Sequence, residues 1–194
     1  MNTETLGAWA SLATAVVIGA SAVAALVQLR HMRAGNQLEA LLSLERDFRA
    51  TEMQSALAYV QEGLDQNLAD PAYRRALETI GFVNATKHPE LLVCNWCNEL
   101  GALLKHRFIS EDAFMDLFAR LIVHCWTRTT PAIAIMRRSR GNSQYHDFEF
   151  VAMRAAAWLN RRPSGSFPRA LARTPLPDPW LEADRRQAIT DRMR

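Results

Sequence analysis

Residues 7–29 carry no charged side chain, and the run reads as one apolar helix. A hydrocarbon core about 30 Å thick needs roughly 20 such residues, so this stretch is long enough to span a bilayer. It is rich in alanine and serine, and Trp9 near one end suits an interfacial anchor. Beyond it the apolar spacing stays helical, with no strand-like alternation. Leu38, Leu41, Leu44 and Phe48 share one face, which predicts that the anchor helix continues past the membrane.

The remaining pattern predicts a helical bundle. Thr51-Glu52-Met53-Gln54 has the form of a capping box and opens a helix with the stripe Met53, Leu57, Val60 and Leu64. Asp70-Pro71 is an N-cap followed by proline at the first helical position, and that helix should run to about Ile80 and stop at Gly81. His88-Pro89 opens the next, with Leu92, Trp96, Leu100, Leu103 and Leu104 on its apolar face. Ser110 caps another, with Glu111 and Asp112 in its first turn and the stripe Phe114, Leu117, Phe118, Leu121 and Cys125. Thr130-Pro131 is predicted to start a separate segment ending at Gly141, and residues 144–161 form the last long helix, with Phe148, Val151, Ala155 and Trp158 inward. After Arg162 the prolines at 163, 168, 175, 177 and 179 break any long element, and residues 181–193 form a short polar helix. The fold class is therefore all-α: an N-terminal transmembrane helix continuing into a bundle of about five helices, with a Pro/Arg-rich tail. The boundaries are 1–33 for the anchor, 34–162 for the helical domain and 163–194 for the tail.

A cleaved signal peptide is the rival reading of the first segment. It would need a positive n-region and a shorter apolar core, whereas MNTETLG holds Glu4 and no lysine or arginine. A buried helix of a soluble protein is the other rival. Arg30, His31 and Arg33 follow the run at once, so the positive-inside rule puts the N-terminus outside and the domain in the cytoplasm. Gly7, Ser11, Ala15 and Gly19 recur every four positions, a spacing that lets two helix backbones approach closely in lipid. They are the candidate helix-packing residues for self-association or for docking on another membrane protein.

Composition narrows the classes. The chain has 194 residues, 49% of them hydrophobic and 22% charged, enough for one domain with a core. Three cysteines exclude a disulfide framework, and eight glycines with eight prolines exclude fibrous classes. The net charge of +3 is too small to mark a nucleic-acid binder, but it is unevenly placed. Residues 34–136 hold thirteen acids against nine bases, and residues 137–194 hold twelve arginines against six acids. The basic residues Arg30, Arg33, Arg137, Arg138, Arg140, Arg161 and Arg162 are the candidate contacts for anionic lipid or an acidic partner. Nucleic acid is disfavoured, since only Phe167 and Trp180 offer stacking surfaces in the tail.

Catalytic signatures are sparse. Cys94-Asn-Trp-Cys97 has redox-motif spacing, but Cys94 falls more than a turn inside its predicted helix, away from the N-terminal dipole that would stabilise a thiolate. Cys94, Cys97, His124 and Cys125 are donors of the kind that zinc accepts. Adjacent His124 and Cys125 point about 100° apart on a helix, and cysteines on apolar stripes behave as small hydrophobes. No HExxH, ExxH pair, GxSxG, GxxxxGK[ST] or GxGxxG occurs. No catalytic residue, metal or cofactor is assigned.

Residues 38–48 after the anchor, the stretch NWCNELGALL at 95–104, and Trp126 with Pro131 followed by Arg137-Arg138 carry a resemblance. On these the chain resembles a widespread bacterial family of uncharacterised proteins with one N-terminal span, a long juxtamembrane helix and a cytoplasmic all-α domain. The resemblance covers residues 7–162, adds an expectation of fold only and brings no activity with it; the expected location, the bacterial inner membrane, follows from the span and its basic flank. The expected function is that of a membrane-anchored interaction or scaffolding protein, an accessory subunit of a larger membrane complex or a homo-oligomer. The alternatives are a metal- or thiol-dependent membrane-tethered enzyme using Cys94, Cys97 and His124, and a nucleic-acid binder acting through the arginine-rich tail.

Overall fold

The apolar run and the stripe after it form a single helix, α1 (Thr3–Arg49). The computed structural model describes residues 3–79, 83, 84, 86–163, 165–168 and 170–192, and leaves aside the side chains of 3–6, 8, 10, 11, 13 and 192. Among the described residues every regular element is helical. Each side chain from residue 14 to residue 36 is exposed. An 18-residue window within Thr14–Arg49 has a mean hydropathy of 1.5 and no buried residue, so α1 is long and apolar enough to cross a membrane. A core helix of a soluble protein would be covered; this one is bare until its last turns. There Leu44 is buried, and Phe48 stacks on Trp96 at 5.7 Å and meets Phe118 edge-on at 6.2 Å. Burying side chains of this size stabilises by about 1.5–3 kcal/mol each, which fastens the end of α1 to the bundle.

Ala50 leaves the helical region at ψ 139, and α2 (Thr51–Glu62) starts after it. The expected capping box does not form: Ala50 is the N-cap without a side-chain bond, and Gln54 donates instead to the carbonyl of Phe48. Met53, Val60 and Leu64 are buried and Leu57 half-buried, as the spacing predicts. The short α3 (Leu64–Leu68) follows, then α4 (Pro71–Glu78), where Asp70 Oδ1 accepts from the Ala72 N–H at 2.8 Å. The predicted stop at Ile80 and Gly81 lies outside the described residues.

The core is built by α5 (Glu90–Lys105), α6 (Glu111–Arg140) and α7 (His146–Arg161), with α7 packing most extensively on the other two. Helix α5 lies between α2, α6 and α7, so its apolar positions run almost all round. Leu91, Val93, Cys94, Trp96, Cys97, Leu100 and Leu104 are buried, whereas Leu92, expected inside, is 38% exposed. At Gly101 a Cβ would sit 2.0 Å from the carbonyl oxygen of Asp147, so only glycine allows α7 this close. Asn98 Oδ1 accepts from the Phe148 N–H at 3.2 Å and holds the first turn of α7.

Four further expectations differ from the structure, in α6 and at the start of α7. Thr130-Pro131 does not start a helix; Pro131 lies inside α6. Proline leaves the carbonyl four residues back, that of Thr127, without a donor, but both residues are exposed, so this carbonyl lies on the solvent side of the helix. Ser110 is at the N-cap of α6 without a side-chain bond, and Leu117, expected inside, is 66% exposed. Helix α7 begins two residues later than predicted, after Tyr145 in the left-handed region at φ 58.

Helix α5 ends in a Schellman motif. The Phe108 N–H bonds the Leu103 carbonyl and the Arg107 N–H the Leu104 carbonyl, both at 3.0 Å, with Arg107 left-handed at φ 59. Glycine normally fills that position; here an arginine does, at a cost of about 1–2 kcal/mol.

The chain divides after Pro163. The second unit, Ser164–Arg194, contains α8 (Leu181–Arg192), whose described residues are exposed and whose Glu182 pairs with Arg185 at 3.2 Å. Before it, the Arg173 guanidinium lies 4.8 Å over the Phe167 ring.

Candidate functional site

Antiparallel α6 and α7 give the bundle two distinct ends. At one end the α5–α6 loop meets α1; at the other, α4 and the start of α5 meet the α6–α7 turn. The second, far end holds a polar chain that runs from exposed Asn67 through half-buried Tyr59 and Tyr73 to buried Glu90 and His88. Asn67 Nδ2 donates to Tyr59 OH at 2.8 Å, and Tyr59 OH lies 2.7 Å from Tyr73 OH. Tyr73 OH donates to both oxygens of Glu90, at 2.8 and 2.7 Å. His88 Nδ1 is 3.0 Å from Glu90 Oε1. The Tyr73 hydroxyl gives its one proton to Glu90, which leaves Tyr59 to donate to Tyr73, so the chain runs from Asn67 to Tyr59 to Tyr73 to Glu90, with the His88 ring on the other side of the carboxyl group. Glu90 is fully buried and His88 nearly so. Glu90 is also the first residue of α5, where the helix dipole favours an anion. Burial, then the bonds to Tyr59 and Glu90, push the Tyr73 phenol well above its ordinary range, so it stays a donor. Sequence reasoning missed Glu90. The available signal was an acid between Pro89 and the apolar run Leu91–Leu92–Val93–Cys94.

The cysteines lie beside this chain in the core. All three are free and buried. Burial pushes the Cys94 and Cys97 thiols up, whereas the hydrogen bond with Cys97 lowers Cys125 and makes it the more acidic of the pair. A raised thiol pKa opposes nucleophilic use. His124 does not join them: it is exposed, and its Nε2 is bonded to Gln61 Oε1 on α2. The proposed grouping of Cys94 and Cys97 with His124 is therefore not assembled, because His124 points about 100° away from Cys125 on α6, out of the core. Among the described residues no three His, Cys, Asp or Glu side chains come together as a metal site.

The arginines separate into two sets. Arg137 pairs with Glu149 at 2.7 Å and bonds the Gln144 carbonyl at 3.0 Å. Arg138 pairs with Glu78 at 2.6 Å, and Arg140 bonds the Thr79 carbonyl at 2.8 Å. These three tie α6 to α4 and α7 at the far end, about 40 Å along α6 from the α5–α6 loop. At the near end Arg162 pairs with Asp112 at 3.1 Å and lies over the Trp158 ring at 4.7 Å, and Arg154 pairs with Glu111. Arg161, in the last turn of α7, is exposed at this end. Arg30 and Arg33 make no ion pair among the described residues. They line a cleft of about 630 Å³ between α1 and the α5–α6 loop, together with Leu29, His106, Arg107 and Phe108. On the outer part of α1, Gly7, Ala15 and Gly19 are exposed, with open space where a Cβ at either glycine would point. The side chain of Ser11 lies outside the described residues.

No curated protein and no solved structure matches this chain. The family model of a domain of unknown function, DUF4760, matches residues 15–155. That interval runs from the exposed apolar part of α1 to the buried middle of α7, and with it the chain is a member of the DUF4760 family.

Proposed function

We propose that the chain is a membrane-anchored interaction module, held in the bacterial inner membrane by α1 with the N-terminus outside and the bundle in the cytoplasm, and working as an accessory subunit or a homo-oligomer. The observation that carries this is the continuity of α1. One helix, Thr3–Arg49, is bare and apolar for most of its length and then packs Leu44 and Phe48 into the domain core. A flexible linker would let the domain roam; a continuous helix sets its height and orientation above the bilayer. Contacts made by the outer part of α1 are thereby coupled mechanically to the position of the bundle. The flanking Arg30 and Arg33 support the orientation, and the small residues Gly7, Ala15 and Gly19 offer a close-packing face for a neighbouring helix.

The test is the composition and native mass of the tagged full chain, extracted from its own membranes in mild detergent. Co-purification with another membrane protein in fixed ratio, or a multiple of 21.9 kDa, is expected. Gly19→Leu should shift that assembly toward smaller species. A monomer of 21.9 kDa with no companion, or release of the chain by an alkaline wash of the membranes, overturns the reading.

A further inference from the structure

We infer that the cleft between α1 and the α5–α6 loop is a binding site for the headgroup of an anionic phospholipid. The inference rests on the reading that α1 spans a membrane. Three features of the cleft point to such a ligand. Its lining contains Arg30, Arg33 and Arg107 and no acid, and none of the three arginines makes an ion pair among the described residues. Glu111, which lines the adjoining hollow with Arg33 and Arg107, is already held by Arg154, and Asp112 by Arg162. The cleft therefore keeps a concentrated positive charge in the form of guanidinium groups, whose planar donors can take an anion bidentately.

The cleft is also amphipathic in the right direction. Leu26 and Leu29, on the membrane side of α1, line it together with the three arginines, and Phe108 is 61% exposed at the tip of the loop. A phospholipid presents the same order, with a phosphate above and an acyl chain below. A soluble phosphate compound would use the arginines and leave Leu29 and Phe108 in water. Membrane height agrees as well: the run without charge ends at Leu29 and the first arginine is Arg30, so the cleft opens at the level of the headgroups. Lys105 is excluded from the set, because it bonds Asp147 at 3.0 Å.

The Schellman motif supplies a discriminating variant. Arg107 occupies the left-handed position that suits glycine, so Arg107→Gly removes the charge while easing the backbone. The three native cysteines are buried, so Phe108→Cys in the full chain takes a polarity-sensitive thiol label selectively. The labelled chain is reconstituted in vesicles of phosphatidylcholine alone and of phosphatidylcholine with increasing phosphatidylglycerol, and quenching by aqueous iodide is read.

The expected result is protection that grows with phosphatidylglycerol, while a label at Asn142→Cys, at the far end of the bundle, stays fully quenchable. Adding Arg107→Gly should raise the phosphatidylglycerol fraction needed for half-protection about fivefold, the equivalent of about 1 kcal/mol for one arginine at an anionic surface. Its melting temperature should be unchanged or higher. Equal protection in phosphatidylcholine alone means apolar insertion without headgroup recognition, and overturns the site. So does full quenching in every vesicle, or protection produced by added inorganic phosphate in phosphatidylcholine vesicles, which would assign the cleft to a soluble phosphate compound. Failure of the anchor reading looks different: the chain would leave the vesicles on an alkaline wash whatever their lipid.

Discussion

Arginine serves opposite purposes at the two ends of the bundle. At the far end Arg137, Arg138 and Arg140 each meet a carboxylate or a backbone carbonyl of another element, and the neighbouring Tyr59–Tyr73–Glu90–His88 chain is closed on itself. Apart from the buried Arg140 Nε, which has no partner, these polar groups complete one another and hold α4, α6 and α7 together. At the near end Arg30, Arg33 and Arg107 line an open cleft without acids. The difference teaches where to look for external ligands. A buried network whose donors and acceptors are matched stabilises the fold and has nothing left to offer. A charged cleft with apolar walls is incomplete until something outside the chain fills it.

The largest effect should come from opening the closed end. Glu90→Ala takes away the partner of the Tyr73 hydroxyl and of the His88 ring and leaves a cavity. A buried polar group left without its partner costs about 1–3 kcal/mol, and for a domain of this size each kcal/mol lowers the melting point by roughly 2–4 °C. The natural reporter is the set of buried cysteines, which become reactive to a thiol fluorophore only as the domain opens. Melting within a few degrees of the parent would show that the network carries little of the stability, and the contrast between the ends would fail.

Features set by neighbouring residues are legible in the chain; features set by distant ones are not. Asp70-Pro71 announces the start of α4 because cap and proline act within one turn. The membrane-length helix is equally plain, since its signal is the lack of charge over residues 7–29. Pro131 misleads because whether a proline breaks a helix depends on which face it lies on, and that is decided by α7 packing on the opposite side. Leu92 on α5 and Leu117 on α6 fit an ideal stripe but lie outside, because the placement of the neighbouring helices, not the stripe alone, defines what is inside. The site is less legible still. Arg30 and Arg33 stand out as flanks of a span, but the residues opposite them, His106, Arg107 and Phe108, lie more than seventy positions away. Only the fold of α5 back toward α1 brings them together.

An alkaline titration sharpens the contrast in a second way. Burial holds the Cys94 and Cys97 thiols above their ordinary range, and likewise the Tyr73 and Tyr145 phenols. In the unfolded chain thiols lose their proton near pH ~8.5 and phenols near ~10, while the folded chain keeps them. Stability from these groups is therefore complete below about pH 8.5 and is lost as the pH rises above it. Each of the two thiols contributes a slope of at most about 1.4 kcal/mol per pH unit, and Cys125, shifted the other way by its bond with Cys97, offsets part of it. The melting point, followed by tryptophan fluorescence, should be level through neutral pH and fall above about pH 9. A level profile to about pH 10.5 would mean the far end is wetter than its packing indicates.

The smallest effect is the most discriminating, because it turns on sign. Arg137→Ala removes a half-buried pair with Glu149, a bond to the Gln144 carbonyl and a guanidinium 6.0 Å from the Trp126 ring. Pairs of this exposure are worth little, and the added hydrogen bond brings the expected loss to about 1 kcal/mol. Arg107→Gly removes no partner within the fold. It relieves a left-handed backbone costing about 1–2 kcal/mol and gives back about 0.5–1 kcal/mol in the entropy of a freer unfolded chain. The net is a gain of up to about 1 kcal/mol. One arginine should thus destabilise on removal and the other stabilise, when both are measured in the same detergent without anionic lipid. If Arg107→Gly melts lower there, Arg107 has an internal role and the two ends are alike. If it melts higher, the chain maintains a strained arginine at the mouth of the cleft whose benefit lies outside the fold.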